Sequence, residues 1–324
     1  MTSVLGEARR VALTHQSSKL PLPFDEYELP NVHHILLLGS HLSSDASLKH
    51  ELGLHMELRH KSTIKFYNFL RLNKLAPIKV KLKVLRSCVL SSLLYNCETF
   101  GNHVPKELET VYLKLLKSCV GVRLNVPNEL VLIETGFMPL KAVILIRQYK
   151  FYKRFKETVL PDSRRDKVFR KLQMERTDFL QHYESLINTY NNTDEIVCIF
   201  RNKIRTVIHE HSINGKYKYQ IYLSINPTLI SSPLLETLHP TAKDMIRFRL
   251  GSHYLPIETG RWCGTDRQQR KCNTCHVMGD EHHAIYTCSQ VVRDDLLLND
   301  NISEIWTEPD TFKLFKRLKS TKLI

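Results

Sequence analysis

The sequence predicts a mainly α-helical protein: a helical bundle, then a helical linker, then a small C-terminal module gathered around a Cys/His cluster. Three observations predict it. From about residue 48 onward, apolar residues recur near the 3.6-residue period in one segment after another. Prolines stand between those segments, where they start or stop helices. Three cysteines and two adjacent histidines fall within Lys271–Cys288, KCNTCHVMGDEHHAIYTC, in a chain with only 8 cysteines among 324 residues.

The elements follow in order. Residues 1–31 read as an irregular leader, with proline-punctuated KLPLPFDEYELP. VHHILLLGSH, residues 32–41, is compact, apolar and stopped by SSDAS, which fits a strand and turn or one arm of a small hairpin. Ser47 is placed to cap a helix running to about Asn73, with Leu52, Met56, Ile64, Tyr67 and Leu70 near one face. Pro77 opens a second helix to about Cys97, and a third spans 106–120. A short helix lies between Pro127 and Pro139, and a further one spans 140–158, completing a bundle over 32–160. The linker, 161–235, holds two polar helices, 163–190 and 194–211, joined by NNT. Within it, 215–223 is ambiguous between strand and helix, and NPTLISSPLL reads as a loop. The last region, 236–324, opens with a short helix over 241–250 that leads into the cluster, with helices expected again at its C-terminal end.

Charge narrows the partners. The chain carries 47 Lys and Arg against 33 Asp and Glu, a net of +14. That balance favours a polyanionic partner, RNA or DNA, or an anionic membrane surface. No apolar run approaches the roughly 20 residues that span a bilayer, and the N-terminus lacks a secretory pattern. The excess is regional: residues 31–160 hold 20 basic against 9 acidic side chains, whereas 236–324 hold 13 against 12. Lys79, Lys83 and Arg86 fall on one helical face, as do Arg147, Lys150 and Arg154, and either stripe can follow a row of phosphates. Arg261 beside Trp262 offers a cation and a stacking ring for nucleic acid. Cys88, Cys97, Cys119 and Cys198 are scattered among apolar residues rather than paired, which fits a reducing compartment, nucleus or cytoplasm.

The cluster is spaced Cys-x2-Cys-x7-His-x4-Cys, using Cys272, Cys275, His283 and Cys288. A Cys3His set is a standard tetrahedral ligand shell for structural Zn2+, and the two-residue gap lets one tight turn aim both thiolates at one ion. Asp280 is placed to cap the turn that carries the histidine. His282 is the alternative to His283, and Cys263 is read as a non-ligand. Four protein ligands leave no open position, so the ion would be structural and would order about residues 249–298.

These residues carry a resemblance. The spacing is similar to the zinc knuckle of non-LTR (LINE-type) retrotransposon reverse transcriptases. The preceding RFRLGSHYLPIETGRWCG resembles their Arg-Leu-x-x-His-x-Leu-Pro-x-Glu-x-Gly-Arg-Trp run, here Arg249, Leu250, His253, Leu255, Pro256, Glu258, Gly260, Arg261 and Trp262. Upstream, LLLGSHLSSDAS resembles the strand and turn after the palm, with Ala46 where glycine is usual, and VLRSCVLSSLLYNCETFG resembles a thumb helix. The resemblance covers about residues 32–295 and implies a thumb-like bundle, a linker and a knuckle.

It also implies what the chain lacks. Polymerase chemistry needs carboxylates holding two metal ions. The family supplies them from an aromatic-x-Asp-Asp turn in the palm, and no such turn occurs here, since Asp294-Asp295 follows the knuckle. The expectation is a C-terminal fragment without palm or endonuclease, not an enzyme, that binds RNA or DNA with weak sequence preference. The alternative is a zinc-stapled helical scaffold for protein partners.

Overall fold

In a computed structural model the chain is mainly helical. The structure describes the backbone of short elements within 12–43 and of the helix from Lys49, and side chains for 60–98, 106–158, 180–292 and 295–324, with 161, 166, 167 and 170 between them. Ser47 and most of the stretch expected to be helical over 163–177 lie outside the described residues. Near residues 32–41 a hairpin does form: His34–Leu37 pairs antiparallel with Ser40–Ser43, Ile35 opposite Leu42. A second small antiparallel pair, Leu22–Phe24 with Tyr27–Leu29, lies within the stretch read as an irregular leader.

The helices are α1 (Lys49–Leu72), α2 (Ile78–Val84, continued through a π-helical turn Leu85–Val89 into Leu90–Leu93) and α3 (Lys106–Val120). Next come α4 (Asn128–Thr135), α5 (Leu140–Glu157), α6 (Asp178–Thr189) and α7 (Thr193–Ile213). The last four are α8 (Tyr217–Ile225), α9 (Ala242–Arg249), α10 (Pro256–Trp262) and α11 (Pro309–Ser320). The ambiguous KYKYQIYL stretch is thus helical: Tyr219 and Tyr222, three apart on α8, both go into the core.

Proline sets the starts. Pro77, Pro127 and Pro139 are the N-cap residues of α2, α4 and α5, each with φ between −52° and −56°, close to the value its ring imposes. Gly136 ends α4 at φ 68°, the left-handed conformation that a residue without Cβ adopts at least cost. The Asn-Asn-Thr joint before α7 is a reciprocal cap. Asn192 Oδ1 accepts the Glu195 N–H at 2.9 Å, and the Glu195 carboxylate accepts the Asn191 N–H at 2.7 Å.

One main core runs from Phe66 to Leu318. It joins Leu85 and Leu93 of α2, Tyr112 and Leu115 of α3, Tyr222 of α8, Phe248 of α9 and Phe315 of α11. A smaller core packs Tyr149 and Tyr152 of α5 against Tyr183 of α6 and Ile196 of α7. Cys97 and Cys119 are buried as small hydrophobes, whereas Cys88 and Cys198 are exposed. Among the described residues no helix is long and apolar enough to cross a membrane.

Inside the main core lies a buried ion pair. The Arg249 guanidinium reaches both carboxylate oxygens of Glu134, at 2.7 and 3.2 Å, and neither residue is more than 3% exposed. The Tyr222 hydroxyl donates to the same carboxylate at 2.8 Å, and Arg249 also lies over the Trp306 ring. The pair ties α4 to α9 and fixes the segment leading to the cluster.

Candidate metal centre

Cys272, Cys275, His283 and Cys288 come together, their nearest ligand atoms all within 4.8 Å of one another. Two local structures achieve this. The first is a tight hairpin. Lys271 bridges Met278, the Cys272 N–H donates to the Val277 carbonyl at 2.7 Å, and the Gly279 N–H donates to that of Arg270 at 2.9 Å. His276 closes the turn at φ 58° with its N–H on the Cys272 carbonyl. Both thiols of Cys-x2-Cys therefore face one side.

The second is a π-helical turn, His283–Thr287, entered through the cap expected of Asp280, whose Oδ1 accepts the His283 N–H at 2.9 Å. In an α-helix, residues five apart sit about 140° apart around the axis. Here the Cys288 N–H donates to the His283 carbonyl at 2.8 Å, five residues back, and that wider loop brings the two side chains together.

The donor geometry fits a metal ion. The Cys272 and Cys288 sulfurs are 4.0 Å apart. With metal–sulfur bonds of about 2.3 Å, a tetrahedral edge is about 3.8 Å. His283 is 7% exposed; its Nδ1 is 2.9 Å from the Thr287 hydroxyl, and its Nε2 is buried with no hydrogen-bond partner. A buried ring nitrogen left unpaired beside three sulfurs is what a ligand nitrogen looks like before its metal is added. Burial pushes the Cys288 thiol up to about 11, with the neighbouring Cys272 adding to the effect, while the Ser289 hydroxyl lowers that of Cys275. A cation would reverse the cost of ionising this group of thiols. His282 is exposed, beside Tyr286, and Cys263 is exposed and outside the cluster.

The segment before the cluster is tied to it by charges that spacing alone does not reveal. Buried His253 sits 2.9 Å from one oxygen of buried Glu281, and the Tyr217 hydroxyl donates to the other at 2.6 Å. Glu258, also buried, pairs with Lys218 at 3.2 Å and Arg261 at 2.7 Å. Gly260 lies against Arg270, where a Cβ would come within 2.6 Å of that side chain's Cγ. Arg270 in turn donates to the Ile257 and Thr265 carbonyls, at 3.2 and 2.9 Å. Of these, Arg249, His253, Glu258, Gly260 and Arg261 stand in the quoted motif, which was the one signal available. Their partners Glu134, Lys218 and Glu281 carried none.

Several of the residues expected to meet nucleic acid are engaged within the protein. Lys79, Lys83 and Arg86 are all exposed on α2, but Lys79 pairs with Glu236 and Arg86 lies over the Phe137 ring. On α5, Lys150 and Arg154 are exposed, whereas Arg147 is half-buried and donates to the Leu94 carbonyl at 3.0 Å. Trp262 is 40% exposed, and the guanidinium over its ring is that of Arg123, not of Arg261. Compared with known proteins, the chain matches no family model, no curated protein and no solved structure.

Proposed function

We propose that this chain is a nucleic-acid-binding, zinc-stapled C-terminal portion of a non-LTR retrotransposon reverse transcriptase, without polymerase chemistry of its own. The observation that carries the reading is the convergence of Cys272, Cys275, His283 and Cys288, in the spacing of that family's knuckle, directly after the Arg249–Trp262 run. Three thiolates and an imidazole at tetrahedral distances favour Zn2+ over the oxygen-seeking Mg2+ or Ca2+. With all four positions taken by protein, the ion holds the hairpin to the π-helical turn and has no room for a reacting water.

The net charge of +14 supports a polyanionic partner. The test has two arms. Mass spectrometry of the purified chain under non-denaturing conditions should show one zinc per chain. Gel shifts with unrelated RNA and DNA sequences should show comparable binding that weakens as salt is raised. The engagement of Lys79 and Arg147 within the protein favours the alternative, a zinc-stapled scaffold for protein partners. A zinc-loaded chain that shifts no nucleic acid at low salt would decide for it.

A further inference from the structure

Around Trp262 the surface is more elaborate than a lone ring. Trp262 and Tyr254 are 40% and 46% exposed, their rings perpendicular and 6.0 Å apart. The Arg123 guanidinium fills the corner between them, 3.8 Å from the centre of Trp262 and 4.6 Å from that of Tyr254. It is held in place: both terminal nitrogens donate to the His253 carbonyl at 3.2 Å, and the Arg123 N–H donates to Ser252 Oγ at 3.1 Å. A fixed cation thus backs one face of the indole, which keeps 40% of its surface in solvent. Rings in the core behave otherwise; Trp306 is 2% exposed.

Beside this corner is a cavity of about 500 Å3 between the start of α2 and the α9 and α11 helices. Lys74, Lys243, Arg247 and Lys319 line it, and Asp244 is the single carboxylate side chain among its walls. Asp244 is already shared between Lys319 at 2.8 Å and Arg247 at 3.5 Å. The Arg247 Nε is buried with no hydrogen-bond partner. Burial, then Arg247 and Lys319, lower the Lys243 pKa against the opposing pull of Asp244. Corner and cavity are linked through the backbone: the Tyr254 N–H donates to the Leu323 carbonyl at 2.8 Å, next to Ile324 on the cavity wall.

We propose that the aromatic corner and the cation-lined cavity are two halves of one site for single-stranded nucleic acid, a base stacking on Trp262 while the adjoining phosphates enter the cavity at Lys243, Arg247 and Lys319. The proposal rests on the nucleic-acid reading and deepens it, locating contact away from the α2 and α5 stripes. Stacking on a pre-positioned ring tolerates any base, and phosphate contacts add salt dependence.

The chain has only two tryptophans, one buried and one half-exposed, so quenching of the exposed indole reports on this site alone. The full zinc-loaded chain is titrated with labelled oligouridylate and, separately, oligodeoxythymidylate, following anisotropy for binding and indole emission for contact. The expected result is binding accompanied by quenching, with Trp262→Ala weakening affinity about tenfold. Unchanged emission from Trp306 in that variant would show that its fold is intact. Lys319→Gln, which removes the cation without placing a second carboxylate against Asp244, should weaken binding and flatten its salt dependence, with an unchanged unfolding midpoint showing that the fold is intact. Binding without quenching overturns the site and leaves the nucleic-acid reading standing. Unchanged affinity in Lys319→Gln overturns the cavity half, and no binding of either oligonucleotide overturns both site and reading.

Discussion

At the scale of single residues, the Thr287 hydroxyl decides which nitrogen of His283 faces the sulfurs. With its own proton directed at the His283 carbonyl, 3.5 Å away, it is free to accept from Nδ1–H, the tautomer that leaves the Nε2 lone pair for a metal. Thr287→Val keeps the shape and removes the acceptor; zinc affinity should fall about 10- to 100-fold, measured by competition with a chromophoric chelator. Unchanged affinity would mean that packing alone sets the ring. Loading should also be proton-coupled. The Cys288 thiol, raised to about 11, keeps its proton through neutral pH without metal and must lose it to ligate. Binding should therefore strengthen with rising pH, and calorimetry in buffers of different ionisation enthalpy should register proton release. Glu281 titrates in the opposite sense. Burial alone would raise its pKa, but hydrogen bonds from His253 and Tyr217 outweigh that and hold it below the ordinary 4.5. Its contribution to stability is full above that ordinary value and is lost as pH falls through the depressed one. Glu281→Gln should flatten the acid limb of a stability–pH curve. The four residues that come together, and the Asp280 cap, were legible in the sequence because spacing fixes them within one short loop. Thr287 was not, because which side chain meets a ring nitrogen depends on the turn's form.

Among the elements, helix starts were legible where proline stands, since Pro77, Pro127 and Pro139 each fix φ and exclude a preceding turn of helix. The π-helical turns were not legible, because one extra residue per turn leaves no compositional mark. In α2 the Leu85–Val89 π-helical turn interrupts the regular period between Lys83 and Arg86, so their alignment is not the one an ideal helix gives. The α10 helix carries a sharper constraint. Gly260→Ala would push a methyl group to within 2.6 Å of Arg270 Cγ, and Arg270 is pinned at two carbonyls. The variant should lose about 1–3 kcal/mol by denaturant unfolding. A loss near zero would show that Arg270 moves freely.

For the molecule as a whole, the sequence suggested that about residues 249–298 are short of apolar residues and that metal would order them. The structure adds another source of order: Leu250, Leu255, Ile257, Ile285 and Val291 belong to the main core. Chelation should therefore expose amides of 271–288 to hydrogen exchange first while α3 stays protected; simultaneous loss would mean that the metal supports the entire fold. The buried Arg249–Glu134 pair was illegible for a plain reason: its members lie 115 residues apart, and neither segment marks the other. Glu134→Ala strands a buried guanidinium and should cost about 3–5 kcal/mol.

That separation also has a consequence for the order of events during synthesis. The ribosome finishes α4 long before it adds Arg249, at about 5–20 residues per second. Until then the Glu134 carboxylate has no guanidinium to meet, and Tyr222, its other partner, arrives 88 residues after it. An early helix whose acid must be buried cannot settle ahead of its late counter-ion. Burial of α4 around Glu134 is therefore expected to follow synthesis of the C-terminal region rather than precede it.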